Sequence, residues 1–153
     1  MNQIARLIPF LFLAPVAVLG QSREETMKYI IDELRSMESR AYTLREVSFS
    51  PSGDTFTYKR QRNGLPDKGT VIPLAKVDIY CVTVHRATGI DYANLVVRPR
   101  GKDGEFIANG FKTKGTMSLI GRIEDEKKVQ ALEKAFAHLT RLVTGRKDLF
   151  PAP

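Results

Sequence analysis

The spacing of apolar residues changes twice along this chain of 153 residues, and the change limits the folds open to it. Apolar residues recur at helical three- and four-residue steps over residues 22–38 and 124–144, whereas residues 43–123 alternate apolar and polar positions between turn signals. A helix, a run of strands joined by short turns and a second helix are typical of an α+β domain. We predict about seven antiparallel strands in a bent sandwich or partial barrel, closed by the C-terminal amphipathic helix, with an extra N-terminal helix.

The first helical pattern begins at a capping box. Ser22 and Glu25 have the S-x-x-E spacing in which each side chain pairs with the backbone N–H of the other residue, so a helix is predicted over residues 22–38. Glu24 and Lys28 have the spacing of an ion pair on its solvent side. The apolar residues form one stripe, which we assign to the core: Met27, Ile30, Ile31, Leu34 and Met37.

The middle of the chain combines strand periodicity with turn signals. Pro-Ser-Gly-Asp at residues 51–54 predicts a tight turn between the first two strands. Pro73, near the end of the third predicted strand, indicates a sheet edge or a bulge. The remaining strands are a fourth around Tyr80, Val82 and Val84, a fifth over residues 94–98, a sixth over 105–111 and a seventh over 117–122, with Asp103-Gly104 as a turn before the sixth.

The second helical pattern, over residues 124–144, is the clearest in the chain. Its first turn is acidic, which the helix dipole favours, and Gly145 is placed to end it in a left-handed conformation. Two large apolar residues in the tail, residues 145–153, are expected to fold back onto the domain. The apolar face predicted to pack on the sheet comprises Val129, Leu132, Ala135, Phe136, Leu139 and Leu142.

The first twenty residues have the three parts of a secretory signal peptide. Arg6 precedes an apolar run over residues 7–19, and Val18 and Gly20 are the small residues at positions −3 and −1 of a cut before Gln21. The run is short for a bilayer span and contains two prolines, so we expect cleavage between Gly20 and Gln21 and no integral membrane segment afterwards. With no lipid-anchor cysteine at the cut and no Asn-x-Ser/Thr site, a periplasmic or secreted bacterial protein is predicted.

The chain after this leader, residues 21–153, is predicted to be a single domain, of which residues 43–145 resemble the pleckstrin-homology-like superfold. The resemblance is carried by residues 71–80, VIPLAKVDIY, which are similar to the segment entering that family's fourth strand, and by the final amphipathic helix. It implies a single domain with seven strands in a bent sandwich and a helix that plugs one open end. Residues 135–145 are also similar to small exported proteins of Bacteroidetes-type bacteria without an assigned activity. The chain departs from the family in lacking the frequent tryptophan of the last helix and in adding an N-terminal helix.

Two basic clusters lie at predicted strand ends. The formal net charge is +7, but both signs are interspersed, which argues against a nucleic-acid-binding face. Arginines at such positions can hold a phosphate, a sulfate or the acidic groups of a polysaccharide through bidentate contacts. Solubilising charge at exposed strand ends is the alternative interpretation. The candidate anion site comprises Lys59, Arg60, Arg62, Lys68, Arg98, Arg100 and Lys102.

Residues that carry enzymatic chemistry are sparse. Cys81 and His85 lie four residues apart on a predicted strand, so their Cα atoms would be ~13 Å apart, too far for a nucleophile–base hydrogen bond. Cys81 is expected to be a small buried core residue, with an intermolecular disulfide or a reactive thiol as the alternatives. His138, next to Leu139 on the last helix, is expected at the boundary between its buried and exposed faces. No zinc, calcium, phosphate-loop or hydrolase-elbow motif occurs, so no cofactor and no metal are predicted.

These patterns favour a binding protein over an enzyme. We predict an exported soluble binding module whose partner is another protein of the cell envelope, recruited at exposed sheet edges as in peptide strand addition. The fold-level part of this prediction is an analogy. The alternatives are a binder of anionic envelope glycan or of a phosphate-bearing ligand, and a small hydrolase assembled from scattered Asp, Glu, Ser and His side chains.

Overall fold

Two helices flank eight strands in the computed structural model, which describes residues 22–37, 43–61, 67–87, 89 and 91–146. The predicted cleavage site, the C-terminal tail and Arg62 lie outside these residues. The elements are α1 Arg23–Ser36, β1 Thr43–Phe49, β2 Thr55–Gln61, β3 Thr70–Pro73, β4 Val77–Val84, β5 Tyr92–Pro99, β6 Phe106–Ala108, β7 Phe111–Thr113, β8 Met117–Ile123 and α2 Glu126–Thr144.

The strands form two antiparallel sheets that do not close into a barrel. The larger sheet has the order β1-β2-β3-β6-β7, and the smaller has the order β4-β5-β8. In the smaller sheet, β4 pairs with β5 over all eight of its residues. A single 3-10 turn, Leu74–Lys76, follows Pro73 and carries the chain from β3 in one sheet to β4 in the other. The predicted α+β class is confirmed, and the two sheets are consistent with a bent sandwich.

The predicted start of α1 is confirmed. The Ser22 N–H donates to Glu25 Oε2 at 2.8 Å, and the Glu25 N–H donates to Ser22 Oγ at 3.2 Å, which closes the capping box. The predicted stripe faces the core, since Ile30, Leu34 and Met37 are buried while the other two members are partly buried. The helix packs against α2 and β1 through this stripe.

The prediction of an ion pair between Glu24 and Lys28 on the solvent side of α1 is wrong. Lys28 Nζ lies 2.5 Å from a carboxylate oxygen of Asp32, one turn further along the helix, and Glu24 pairs with the neighbouring Arg23 at 2.8 Å. Both ion pairs are exposed to solvent, so the identity of the partner has little effect on folding stability.

The region predicted as the sixth strand, residues 105–111, is a hairpin. Asn109 and Gly110 have φ values of 50° and 81°, as a type I′ turn requires, and they separate β6 from β7. The Asn109 side chain accepts a hydrogen bond from the Lys68 N–H at 2.9 Å, and the Gly110 N–H donates to the Gly69 carbonyl at 3.1 Å. The turn is therefore fixed against the loop before β3, and the described chain has eight strands where seven were expected.

α2 packs against β4 and β5. Asp125 caps the helix by accepting from the Lys128 N–H at 3.2 Å, and Gly145 ends it with a φ of 69°, as predicted. Leu142 was expected on the buried face but is 47% exposed, because the apolar stripe continues through Val143 instead. No helix within the described ranges is long and apolar enough to span a membrane. The largest fully buried side chains come from both helices and both sheets and include Tyr58, Phe56, Phe106, Phe136, Ile30 and Leu95.

Candidate functional site

The two faces of the β4–β5 pair differ in what covers them. Residues directly opposite each other in an antiparallel pair lie on the same face of the sheet. The inner face includes Ile79 and Cys81 opposite Val97 and Leu95, and all four belong to the core or pack against it. The other face, called the outer face below, comprises Asp78, Tyr80, Val82 and Val84 of β4, and Tyr92, Asn94, Val96 and Arg98 of β5. Val96 is buried, whereas the other apolar residues of this face are only partly buried and do not belong to that core.

β4 is apolar on both faces. Residues 79–84 read Ile-Tyr-Cys-Val-Thr-Val, a nearly continuous apolar run. A strand with one solvated face alternates apolar and polar residues, whereas a continuous run is typical of a strand covered on both sides. In the part of the chain that the structure describes, only the inner face packs into the core. Tyr80, Val82, Val84 and Tyr92 are left half-exposed on the outer face.

Arginines stack on the two tyrosines of the outer face. The Arg98 guanidinium carbon lies 5.3 Å from the ring centroid of Tyr80, and that of Arg86 lies 5.0 Å from the ring centroid of Tyr92. Both distances are within the ~6 Å over which a guanidinium is attracted to an aromatic face. The stacking holds each ring and each guanidinium in one orientation, with the cation exposed beside the apolar centre of the face.

One carboxylate organises the Arg98 end of the outer face. Asp78 Oδ1 accepts hydrogen bonds from Arg100 Nη2 at 2.5 Å and Nε at 3.1 Å, and Arg98 Nη2 lies 3.7 Å from Asp78 Oδ2. Two guanidiniums thus share this carboxylate. The structure brings these two residues of the predicted anion site together, around a carboxylate of the chain itself.

The predicted anion-site residues of β2 lie in the other sheet and have partners of their own. Lys59 Nζ is 2.7 Å from Glu46 Oε2 on β1. The Arg60 guanidinium donates to the Tyr58 hydroxyl at 3.1 Å and to the carbonyl oxygen of Ser118 on β8, so it connects the two sheets. Arg60 therefore has a structural role in addition to any ligand that it binds.

The remaining described members of the anion site lie elsewhere. Lys68 precedes β3, with Nζ 5.5 Å from the ring centroid of Phe111, and Lys102 is exposed in the turn after β5. The described residues of the predicted site are thus distributed over β2, the β2–β3 loop and the end of β5. Anion binding by these residues stays a prediction.

Charged side chains reach the end strands of the smaller sheet. Glu133 of α2 lies near the backbone N–H of Cys81 on β4, and burial raises the pKa of this carboxyl. On β8, the Arg60 guanidinium takes the Ser118 carbonyl. Native sheets protect their edges against pairing with other strands by such means. Strand addition at these two positions would require the side chains to leave.

The thiol of Cys81 is half-buried beneath α2. Burial raises its pKa, and the nearby carboxylates of Glu133 and Glu126 raise it further. Because the thiolate is the reactive form of cysteine, this environment disfavours nucleophilic chemistry. The expected core position is refined: Cys81 packs against the core without being fully buried.

His85 forms a hydrogen-bonded pair with Asp91 and not with Cys81. It lies exposed beyond the end of β4, with Nδ1 2.9 Å from Asp91 Oδ2. This hydrogen bond raises the pKa of His85 and lowers that of Asp91, which also accepts from the Arg86 N–H at 3.1 Å. His138, expected at the boundary between buried and exposed faces, is buried on α2.

Within the described ranges, no group of three or more His, Cys, Asp or Glu side chains is placed to hold a metal ion. A scan against protein-family models finds no match, and searches of curated proteins and of solved structures find none either. The geometry of the chain itself is therefore the basis for any functional proposal.

Apart from Arg98, the residues of the outer face are absent from the predicted site. Tyr80 and Val82 alternate with neighbours that are themselves apolar, and this two-sided pattern is the signal that marks β4 in the sequence. The contributions of Arg86 and Tyr92 depend on the β4–β5 register, which local patterns leave open.

Proposed function

We propose that this chain is an exported binding module that recognises another protein of the cell envelope through the outer face of the β4–β5 pair. The observation that carries the proposal is the two-sided apolar pattern of residues 79–84, whose outer side has no core packing in the described part of the chain. Contiguous apolar surface of this kind marks sites of protein interaction. A partner protein would cover the outer face of β4, as the apolar residues on both sides of this strand suggest.

The side chains of the outer face suit protein recognition. Tyrosine and arginine are enriched at interfaces and supply a large share of binding energy where they become desolvated. Tyr80 and Tyr92 are already oriented by the arginines stacked on them, at centroid distances of 5.3 and 5.0 Å. Side chains that are ordered before binding lose less conformational entropy when a partner docks.

Charge favours a partner with acidic groups. Arg98 and Arg100 both pair with Asp78, Arg98 is exposed, and the whole chain has a formal net charge of +7. A carboxylate of a partner placed near Arg98 would pair with its guanidinium and would speed association at low ionic strength. The proposed partner therefore combines apolar side chains, which cover Val82 and its neighbours, with carboxylates at the rim.

The face is a better recognition surface than the sheet edges. Glu133 lies near the Cys81 N–H on β4, and the Ser118 carbonyl on β8 is bound by Arg60. Of the two end strands of the larger sheet, β7 has three residues, Phe111–Thr113, and β1 has an irregular register between Arg45 and Ser48. Very short or side-chain-covered edges are the means by which proteins avoid strand addition.

The test compares capture by two variants with opposite expectations. The full-length chain, Val82→Glu and Leu142→Glu are immobilised, and proteins retained from an envelope fraction are quantified by mass spectrometry. Val82→Glu places a carboxylate at the centre of the outer face, where it would be desolvated against an acidic partner, so recovery should fall about tenfold or more. Leu142→Glu changes a more exposed apolar residue on α2 and should leave recovery unchanged.

Two results would overturn the proposal. One is a retained protein that Val82→Glu holds as well as the unaltered chain does. The other is a large loss of folding stability: because Val82 is half-exposed, the glutamate should cost at most about 1 kcal/mol. A cost of several kcal/mol would mean that the chain itself covers the outer face.

A further inference from the structure

The tip of the β6–β7 hairpin exposes apolar side chains that the proposed function does not use. Phe111 is 66% exposed and Ile107 is 38% exposed, two of the three large hydrophobic residues exposed in the described part of the chain. They flank the turn at Asn109 and Gly110. The hairpin belongs to the larger sheet and is thus distinct from the outer face of the β4–β5 pair.

The two apolar residues lie on opposite sides of the hairpin. Phe111 pairs with Ala108, and the neighbouring pair is Ile107 with Lys112. Successive residues of a strand point to opposite faces, so the tip is apolar on both sides rather than on one. A flat protein surface would cover only one side of the hairpin tip, whereas lipid that surrounds the tip would cover both sides.

Lysines surround this tip. Lys68 Nζ lies 5.5 Å from the centroid of the Phe111 ring, Lys112 follows directly in the sequence, and Lys114 follows two residues later. Glu105 lies 3.4 Å from Lys112 Nζ, and the carboxylate of Asp67, next to Lys68, accepts from the Gly69 N–H at 2.7 Å. Three lysines therefore stand against two carboxylates near the most exposed aromatic ring of the described chain.

We infer that the β6–β7 hairpin inserts its tip into the interface of an anionic lipid bilayer. Phe111 and Ile107 enter the boundary between headgroups and acyl chains, and Lys68, Lys112 and Lys114 contact the lipid phosphates. Exposed aromatic residues next to lysines are typical of segments that lie in the membrane interface, and each lysine near an anionic surface adds to the affinity. The turn contacts with residues 68 and 69 hold the tip in a fixed position, so little ordering is required on binding.

The chain contains no tryptophan, which permits a local test. Phe111→Trp in the full-length chain introduces one indole at the hairpin tip, and Leu142→Trp introduces one at an exposed apolar position of α2. Emission is recorded with vesicles of phosphatidylcholine alone and of phosphatidylcholine with phosphatidylglycerol, and then with brominated acyl chains as quenchers. We expect a blue shift and quenching for Phe111→Trp with the anionic vesicles only, and neither for Leu142→Trp.

The lysines are tested in the Phe111→Trp background. Replacing Lys112 and Lys114 by glutamine should weaken the apparent vesicle affinity by about fivefold for each lysine, whereas glutamine at Lys127 and Lys128 of α2 should leave it unchanged. Emission that does not respond to anionic vesicles, or that responds equally at position 142, overturns the inference. A blue shift produced by an envelope protein fraction free of lipid, and not by vesicles, also overturns it and assigns the tip to a protein.

Discussion

Replacing Phe136 by alanine removes the aromatic ring that α2 inserts into the core. The side chain is 1% exposed, and its ring centroid lies 5.3 Å from that of Phe56 in an edge-on arrangement and 6.2 Å from that of Phe49. Truncating a buried phenylalanine costs about 3–5 kcal/mol. Phe56 is fully buried and also contacts Tyr58, so it cannot move freely into the cavity. We therefore expect a loss in the upper part of this range, about 4–5 kcal/mol.

The loss is measured by urea unfolding, followed by far-ultraviolet circular dichroism and analysed by linear extrapolation. The slope of the free energy of unfolding against urea should not change, since the same surface is exposed when either protein unfolds. Leu142→Ala is the matched control, because the same helix exposes Leu142 to solvent, and it should cost at most about 0.5 kcal/mol.

Two outcomes would refute the packing argument. A cost below about 2 kcal/mol for Phe136→Ala would mean that the ring is not enclosed as the structure has it. A cost for Leu142→Ala similar to that for Phe136→Ala would mean that α2 presents another face to the sheets.

Three further predictions concern local features. Gly110→Ala places a Cβ on a residue with a φ of 81° and 3.1 Å from a lysine side chain, so unfolding experiments should show a loss of about 1–2 kcal/mol; an unchanged stability would argue against the type I′ turn. In a proton NMR titration, the pKa of His85 should lie above its ordinary value and should fall in Asp91→Asn. The pair's stabilisation is lost as pH rises through the raised pKa of His85 and as it falls through the lowered pKa of Asp91; a pKa of His85 that Asp91→Asn leaves unchanged would contradict the pairing. Burial raises the pKa of Glu133, so the folded protein binds a proton at this carboxyl more tightly than the unfolded chain does. The stability that this proton contributes is lost as pH rises through the raised pKa of Glu133. Glu133→Gln removes the titrating carboxyl, so the loss of stability between acidic and neutral pH should be smaller in this variant than in the unaltered chain; an equal loss in urea unfolding would contradict the raised pKa.

Features decided by a few neighbouring residues could be predicted from the sequence. The capping box at Ser22, the turn at residues 51–54 and the end of α2 at Gly145 each depend on side-chain chemistry within one turn of backbone. In the structure, the Gly53 N–H donates to the Ser50 carbonyl at 2.9 Å, as the predicted tight turn requires. Local rules determine such features whatever the rest of the chain does.

Asn109-Gly110 carries a hairpin signal, although the alternation over residues 105–111 predicts one strand. An Asn-Gly pair between apolar residues is the strongest short hairpin signal, but the flanking strands have only three residues each and too few alternating positions to stand out. Leu142 is a second case that the sequence does not decide. Leu142 and Val143 could each extend the apolar stripe of α2, and the orientation of the helix on the sheets places Val143 against the core.

The candidate site depends on pairings distant in the sequence. Asp78 faces Arg98, and Val84 faces Tyr92, because of the register between β4 and β5. A shift by one residue would move every side chain of β5 to the other face. The composition of β4 therefore signals that its outer face is unusual, while the residues that complete this face become evident only when the register is known.

The most direct measurement of the central claim is photo-crosslinking from the outer face. A benzophenone amino acid replaces Tyr80 in the full-length chain in one experiment and Leu142 in another, and both are irradiated in cells. Position 80 should give a discrete adduct with an envelope protein, and adding Val82→Glu should abolish it, while position 142 gives none. Adducts from position 142 and none from position 80 would contradict the assignment of the outer face as the recognition surface.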